Sequence, residues 1–264
     1  EIISSIGKVN YVCHLAAGSH VDRSISHPLE FVMDNVVGTA HILDYARKQD
    51  NLDQFVYFST DEVFGMTEGD KCFSEKSPYN PRSPYSASKA GSDHLVRAWN
   101  KTYGLPTLIT NSSNNFGPMQ FPEKLIPVII TNGFQNKCIP IYGDGQNVRD
   151  WIYVEDHIDA LIKVMLCGSI GDSYCIGAGE EKTNNEIVEI VCKFLDIYNS
   201  KNSPHIRLKK FVEDRKGHDQ RYCIDSNKIM NDLKWRPKYE FNQALSMTVK
   251  WYIDNIDWFN LKSR

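Results

Sequence analysis

The chain has 264 residues, 41% of them hydrophobic, and a formal net charge of −3, enough to bury one sizeable core or two small ones. The near-neutral balance excludes a nucleic-acid binder working through bulk electrostatics, and no run approaches the ~18 uninterrupted apolar residues of a membrane span. No signal-peptide pattern opens the chain. The cysteines (13, 72, 138, 167, 175, 192 and 223) show neither C-x-x-C nor zinc-finger spacing, so a soluble, cytoplasmic protein with free thiols and no metal site is expected.

In chain order, Tyr11–Leu15 reads as a strand, Pro28–Lys48 as a helix and Gln54–Ser59 as a buried parallel strand. Ser86–Tyr103 reads as a helix, Thr107–Asn111 as a strand and Glu123–Gly133 as a helix. Ile139–Tyr142 and Arg149–Tyr153 read as strands on either side of the tight-turn signal Gly143-Asp144-Gly145. Ser173–Ile176 and Ile206–Val212 complete the predicted strands. Between them, Thr183-Asn184-Asn185-Glu186 is a capping box that opens a helix with Ile187, Val191, Phe194 and Tyr198 on one stripe. This alternation predicts a doubly wound, Rossmann-like parallel α/β sheet. Beyond Phe116 the pattern loosens, so residues 1–116 are read as a nucleotide-cofactor domain carrying the reactive residues. Residues 117–264 are read as a smaller α/β substrate lobe, with some segments returning to the sheet.

Ligands of open α/β sheets bind beyond the carboxyl ends of strands, and the run Gln54–Phe58 ends in Ser59-Thr60-Asp61-Glu62. Tyr85 and Lys89 share one helix face. A phenol titrates near ~10, so a neutral-pH base needs its pKa lowered by about 3, or ~4 kcal/mol; an ammonium ~4 Å away in a medium of effective dielectric about 20 supplies that much. The bland alternatives are a helix-start aromatic with a solvated lysine, and two solvated loop acids. Asp61 and Glu62 can both reach one ligand only if the backbone bends at the strand end, because successive strand residues face opposite sides. Crowding the two carboxyls in a closed site would keep one of them protonated. Neither a glycine-rich cofactor turn nor the acidic residue about 20 positions after it is present.

The strings His14-Leu15-Ala16-Ala17-Gly18-Ser19-His20-Val21-Asp22-Arg23-Ser24-Ile25, Ser59 to Gly65, Tyr85 to Lys89, Ser113 to Pro118, Phe121 to Leu125, Pro140 to Tyr142, Arg149 to Trp151 and Asp214 to Asp219 occur in one order. Together they resemble an extended short-chain dehydrogenase/reductase, specifically the nucleotide-sugar 4,6-dehydratases of the dTDP-glucose 4,6-dehydratase type. The likeness covers nearly the whole chain. It also implies that the first strand here corresponds to a later strand of the fold, so that opening units of about 30 residues each would lie before Glu1 and would bind the adenosine half of the cofactor.

The resemblance implies NAD as cofactor and a nucleotide-diphospho-glucose as substrate. Tyr85 would take the O4 proton, Lys89 would lower the Tyr85 pKa and hold the nicotinamide ribose, and Thr60 would hydrogen-bond O4. Glu62 would remove the C5 proton and a protonated Asp61 would donate to the departing C6 hydroxyl. Leu15, Ala16, Ala17, Ser19, Asp34 and Asn115, with Tyr85 and Lys89, would line the cofactor. Ser19, Thr60, Asn114, Lys124, Leu125, Pro140, Ile141, Tyr142, Arg149, Asn184, Arg215 and His218 would hold the substrate, arginine suiting its diphosphate through bidentate pairing. An ion pair with Asp150 or Glu155 is the bland account of Arg149. Gly18, Asp34 and Lys216 depart from the usual family residues, which are Glu or Gln, Thr, and Pro. The resemblance further implies a homodimer formed through the helices near 28–48 and 86–103, with Val36, Val37, Ala40, Leu43, Leu95, Ala98 and Trp99 offering apolar surface. Rival readings are a nucleotide-sugar 4-epimerase or decarboxylase, which share Tyr85 and Lys89 but typically lack the Asp-Glu pair, or an inactive remnant acting as a scaffold.

Overall fold

The computed structural model describes residues 7–257. It begins with β1 (Tyr11–His14), the short helices α1 (Val21–Ser26) and α2 (Pro28–Phe31), a π-helical turn (Val32–Val37) and α3 (Gly38–Ala46). There follow β2 (Gln54–Thr60), a 3₁₀ turn (Asp61–Phe64), α4 (Pro84–Tyr103), β3 (Thr107–Ser112), β4 (Asn114–Phe116), α5 (Leu125–Phe134), β5 (Ile139–Tyr142) and β6 (Val148–Tyr153). The order closes with α6 (Val154–Cys167), β7 (Ser173–Ile176), β8 (Glu181–Thr183), α7 (Asn184–Tyr198), β9 (Lys209–Val212), α8 (Asn227–Asp232) and α9 (Phe241–Asp254). These elements form two compact units. Glu1–Ser113, Ile158–Ile176 and Ile224–Arg236 make the first, and Asn114–His157, Gly177–Cys223 and Pro237–Arg264 the second.

The first unit is built on a parallel sheet in the order β1-β2-β3-β7. Its central strands are buried on both faces, which is why Phe55-Val56-Tyr57 and Leu108-Ile109 read as unbroken apolar runs. Leu43 and Ala46 of α3 and Val96 of α4 close over Phe55, Tyr57 and Ile109, each large side chain contributing about 1.5–3 kcal/mol on burial. The helix α4 starts cleanly because Ser83 and Ser86 form a reciprocal capping box beside Pro84, and stops at Gly104 in the left-handed conformation. β7 is terminal in this sheet, and the Cys175 amide on it donates to Glu75 Oε1 at 2.8 Å, so a side chain satisfies part of the strand edge.

The second unit contains a three-stranded sheet, β4-β6-β8, and a parallel pair, β5-β9. Phe116, Ile126, Ile129, Ile141, Trp151, Val188, Leu195, Leu245 and Tyr252 are part of its core. The capping box at Thr183 and Glu186 opens α7 as expected.

Several expectations are corrected. The helix expected over 28–48 ends at Ala46 and is interrupted by the π turn, where buried Asn35 accepts from the Gly18 amide at 2.7 Å and donates to Ser88 Oγ at 2.8 Å. Leu43, expected as outward apolar surface, is buried against the sheet; the exposed apolar side chains of that stretch are Leu29 (78%), Val32 and Met33 (58%). His205–Leu208 is a 3₁₀ turn, and only Lys209–Val212 is strand, because His205 is tied to Asp196 through both its amide and its ring. The turn expected at Gly143 to Gly145 lies between β5 and β6, which belong to different sheets. Cys72 and Cys223 are disulfide-bonded, not free; Cys13, Cys138, Cys167, Cys175 and Cys192 are free. Among the described residues no helix is long and apolar enough to cross a membrane.

Two buried histidines tie stability to pH. His14, which hydrogen-bonds Thr39 Oγ1 at 3.0 Å, is pushed down to about 4 by burial and by the Lys89 charge; burial pushes His157 down to about 4. Both are therefore neutral when folded and take up a proton more readily when unfolded. Stability should fall as pH drops from about 6.5 towards 4, by up to ~1.4 kcal/mol per pH unit for each histidine. Thermal midpoints compared at pH 7 and pH 5 should show this loss, and His157→Gln should reduce it. An unchanged pH slope in that variant would refute the assignment.

Candidate active site

The reactive cluster of the first unit forms where β2 stops. Thr60 keeps extended geometry (φ −132°, ψ 155°), and the chain then turns at once into the 3₁₀ segment carrying Asp61 and Glu62. This is the bend that two consecutive carboxylates require if both are to serve one ligand. Thr60 Oγ1 holds the turn together by donating to Asp61 Oδ1 at 3.2 Å and accepting from the Glu62 amide at 3.3 Å. Gly65 ends it at φ +82°, where an added Cβ would stand 2.4 Å from the Asn80 carbonyl oxygen, so no other residue fits there without displacing the backbone. Asp61 is buried, whereas Glu62 is partly open.

Tyr85 and Lys89 project from the first turns of α4. Burial, and then the charge of Glu62, hold the Tyr85 phenol well above its usual value, with the Thr60 hydroxyl acting in the opposite direction and Asp61 adding to the rise, which places the tyrosine near the acid-bearing turn. Lowering by Lys89, expected from the spacing, is not among the causes; carboxylates dominate the surroundings of the tyrosine. Lys89 is 4% exposed. Its ammonium donates to the Phe58 carbonyl oxygen at 2.5 Å and lies 4.2 Å from the centre of the Tyr57 ring. Burial pushes its pKa down to about 8, with Asp93 acting upward.

Past the end of β1 the chain is open. Leu15, Ala16, Ala17 and Ser19 are exposed, and the two alanines offer only methyl groups, so a flat ring could approach the main chain there. Gly18 is gripped on both main-chain sides by Asn35, and a Cβ on it would come within 3.1 Å of the Phe31 ring, which accounts for the glycine at this family position. Phe31 in turn meets Tyr85 edge-on at 6.4 Å between ring centres. Asp34 is exposed on the π turn. Sequence reasoning missed Asn35, Ser88, Ser92 and Asp93; the last three lie on α4, and Asp93 continues the four-residue spacing of Tyr85 and Lys89.

The remaining expected residues belong to the second unit. Asn114 and Asn115 lie on β4, partly buried. Lys124 is the N-cap of α5 and Leu125 its first residue. Tyr142, at the end of β5, carries the Arg215 guanidinium 5.1 Å from its ring centre. His218 Nδ1 pairs with Asp214 Oδ1 at 2.7 Å; burial first, and then the nearby charges of Arg215 and Arg149, lower the His218 pKa. The structure thus gathers Tyr142, Arg149, Arg215 and His218 into one basic, aromatic patch. Arg149 donates to the carbonyl oxygens of Val148 (2.7 Å), Asp219 (2.9 Å) and Gln220 (3.3 Å) and stacks on Tyr222. Pro140 is partly buried beside this patch on β5, and Asn184 is buried at the start of α7. Ile141 is closed inside the core and has no exposed side chain to offer a ligand. Among the described residues no group of acids, histidines and cysteines could hold a metal ion.

Comparison with known proteins places these features in a family. The family model described as GDP-mannose 4,6 dehydratase matches residues 1–248. The chain is 49% identical over 261 residues to the dTDP-glucose 4,6-dehydratase of Neisseria meningitidis serogroup B, covering 94% of this chain and 74% of that one. It is 47% identical over 270 residues to dTDP-glucose 4,6-dehydratase 1 of Escherichia coli K12, covering 96% and 75%. Among solved structures, DesIV from Streptomyces venezuelae, a dTDP-glucose 4,6-dehydratase determined with NAD bound, superposes with a TM-score of 0.92 at 41% identity, covering 99% of this chain and 79% of that one. With its parallel sheet, its Tyr-Lys pair on α4 and this degree of likeness, the chain belongs to the nucleotide-sugar 4,6-dehydratase family of extended short-chain dehydrogenases/reductases.

Proposed function

We propose that the chain is an NAD-dependent hydro-lyase that converts dTDP-glucose to its 4-keto-6-deoxy product. One observation carries the reading: Thr60, Asp61 and Glu62 turn together at the end of β2, and the charges of both acids act on the Tyr85 phenol of α4. Relatives named for this reaction, about half identical to this chain, support it. The first unit is the cofactor and reaction unit, and the second mainly holds the nucleotide sugar.

The cofactor fits the residues present in the first unit: exposed Leu15, the methyl side chains of Ala16 and Ala17, Ser19, Asp34, Tyr85 and the buried Lys89 ammonium. When bound, NAD would supply a hydride acceptor for C4 and a hydride donor for C6, with C5 regaining a proton from Asp61 or solvent, so no net oxidation would occur. Tyr85 takes the O4 proton while Thr60 holds O4 in place. Its phenol, kept protonated by burial and by Glu62, needs positive charge to give up that proton, and Lys89 is the charge that α4 supplies. The resulting C4 ketone acidifies C5–H, which Glu62, the more open carboxylate, removes. Asp61, buried beside it, delivers a proton to the C6 hydroxyl, and water leaves across C5–C6. In the second unit Arg215 and His218, with Tyr142, Lys124, Leu125, Pro140 and Asn184 around them, hold the diphosphate and nucleoside; Arg149 adds charge while fixing the 219–220 segment. Ser19 and Asn114 contact the sugar. An epimerase would need only the Tyr85 and Lys89 chemistry, so Asp61 and Glu62 favour elimination.

A cytoplasmic homodimer completes the proposal. Leu29, Val32 and Met33, exposed together with Ala98 on α4, are the apolar side chains suited to a two-fold contact.

Incubation with dTDP-glucose should yield the 4-keto-6-deoxy sugar with no net consumption of NAD, and a C4 epimer as sole product would sink the reading. Tyr85→Phe should abolish hydride transfer, whereas Asp61→Asn should still oxidise C4 but slow elimination by ~10²–10⁴-fold, with NADH accumulating; equal loss of the NADH signal in both would show that the two residues do not act in separate steps. Light scattering at micromolar concentration should give a dimer that Met33→Glu weakens, and a monomeric parent would refute the interface.

A further inference from the structure

The loop that carries Arg215 and His218 is fastened to β6 by a closed circuit of buried groups. Asp219 follows His218 directly and is 3% exposed. Its carbonyl oxygen accepts from Arg149 Nη2 at 2.9 Å, 70 positions away in the chain, and from Asn147 Nδ2 at 3.2 Å. Its side chain serves another partner: Asp219 Oδ2 accepts from the Tyr222 hydroxyl at 2.8 Å. The Tyr222 ring in turn lies 4.3 Å from the Arg149 guanidinium, which returns the circuit to its start. Arg149, Tyr222 and Asn147 are buried as well. A carboxylate and a guanidinium at that depth are retained only where hydrogen-bond partners and a ring face meet them.

We propose that Asp219 and Tyr222 are positioning residues of the diphosphate-holding patch: their hydrogen bond locks the peptide after His218 onto Arg149, so that Arg215 and His218 keep one arrangement whether or not a ligand is present. The proposal rests on the reading that Arg215 and His218 hold the nucleotide diphosphate, and extends it to a hydroxyl and a carboxylate that face each other. The rest of the loop shows why this bond matters. Asp214 Oδ1 accepts from the Arg215 amide at 2.8 Å and pairs with His218 Nδ1 at 2.7 Å. That shapes the turn between the two residues, but all three belong to the turn and cannot fix it in place. The near end is set on β5, where the Gly143 amide donates to the Val212 carbonyl at 3.0 Å and a Cβ on Gly143 would stand 2.9 Å from Asp214 Oδ2. The far end is set on β6, where the Val148 amide and Arg149 Nη1 donate to the Gln220 carbonyl at 2.8 and 3.3 Å. The circuit through Asp219 and Tyr222 stiffens that far end, one residue beyond His218. A loop ordered in advance spares the ligand the cost of ordering it, so the effect falls on affinity and leaves the chemical step on the first unit alone.

The test removes one hydroxyl. In the full chain, Tyr222→Phe keeps a ring against Arg149 and deletes the donor to Asp219. Its affinity for dTDP, measured by calorimetry, should fall about tenfold and the KM for dTDP-glucose rise as much, while kcat stays within about twofold of the parent. Amide hydrogen exchange across 215–220 in the free protein should quicken. Asp219→Asn, whose amide oxygen still accepts from Tyr222, should keep most of the parent's affinity, and Asp219→Ala should match Tyr222→Phe. Equal dTDP affinity in the parent, Tyr222→Phe and Asp219→Ala overturns the proposal. So does unchanged exchange across 215–220, or a kcat that falls as far as the affinity, which is what a merely structural role would give. A parent that binds dTDP yet forms no 4-keto-6-deoxy sugar refutes the proposed reaction alone, because the affinity and exchange measurements decide this proposal without turnover. A parent with no affinity for dTDP overturns this proposal together with the assignment of Arg215 and His218 to the diphosphate. Should Tyr222→Phe fail to fold, the contrast between Asp219→Asn and Asp219→Ala carries the test, and equal affinities in those two would likewise overturn it.

Discussion

A buried ammonium governs the architecture around the reactive residues. Taking Lys89 out of water is tolerated only if its donors are satisfied and its charge is balanced, and each requirement fixes a neighbour. The Phe58 carbonyl must face it, which binds the lysine to the last residues of β2. The Tyr57 ring must lie beneath it, so this tyrosine of the central strand points to the same face as α4. α4 must then run close along β2 and β3, as Asp93 does through Ser59 and Asn111, and the serine cap at one end and Gly104 at the other define its length. His14 pays the remaining cost by staying neutral.

The same strand end sets the second constraint. A strand delivers consecutive side chains to opposite faces, so a pair of acids can cooperate only where the strand gives way. Thr60 makes the transition, still extended in its backbone while its hydroxyl already caps the following turn. Gly65 releases the chain at the far side, where the Asn80 carbonyl leaves no room for a Cβ. The same hydroxyl donates to Asp61 Oδ1 at 3.2 Å, so one atom both caps the turn and orients the first of its two acids.

Much of this was legible in the sequence. The apolar runs at Phe55 to Phe58 and Leu108 to Ile109 announce strands buried on both faces, and the Thr183 to Glu186 capping box announces a helix start, because both signals are local. What escaped was tertiary. The π turn around Asn35 exists because that side chain reaches back to Gly18 and across to Ser88, and no periodicity encodes such a bond. Leu43 was assigned outward because helical spacing alone does not say which stripe meets the sheet. The spacing of Tyr85 and Lys89 did not show that burial and the charge of Glu62 act on the phenol in the opposite direction. Asp93 was in plain view as the next step of the Tyr85 and Lys89 stripe. A charged residue on a face whose other members must be buried is a signal that the sequence does carry.

The two parts of the reaction place different demands on the fold. Oxidising an alcohol carbon needs a base and a positive charge on one rigid helix, and α4 provides both as a consequence of its pitch. Eliminating water from the adjacent carbons needs an acid and a base at a separation shorter than any two elements could guarantee by packing, and here they are neighbours in sequence. Asp61 and Glu62 therefore keep their relative positions through the covalent geometry of one turn, whatever small shifts the helices make, and they differ in burial because a 3₁₀ turn directs successive side chains to different sides. In the proposed assignment the buried member is the donor of a proton and the open member its acceptor, a division of labour that would follow from where the strand ends.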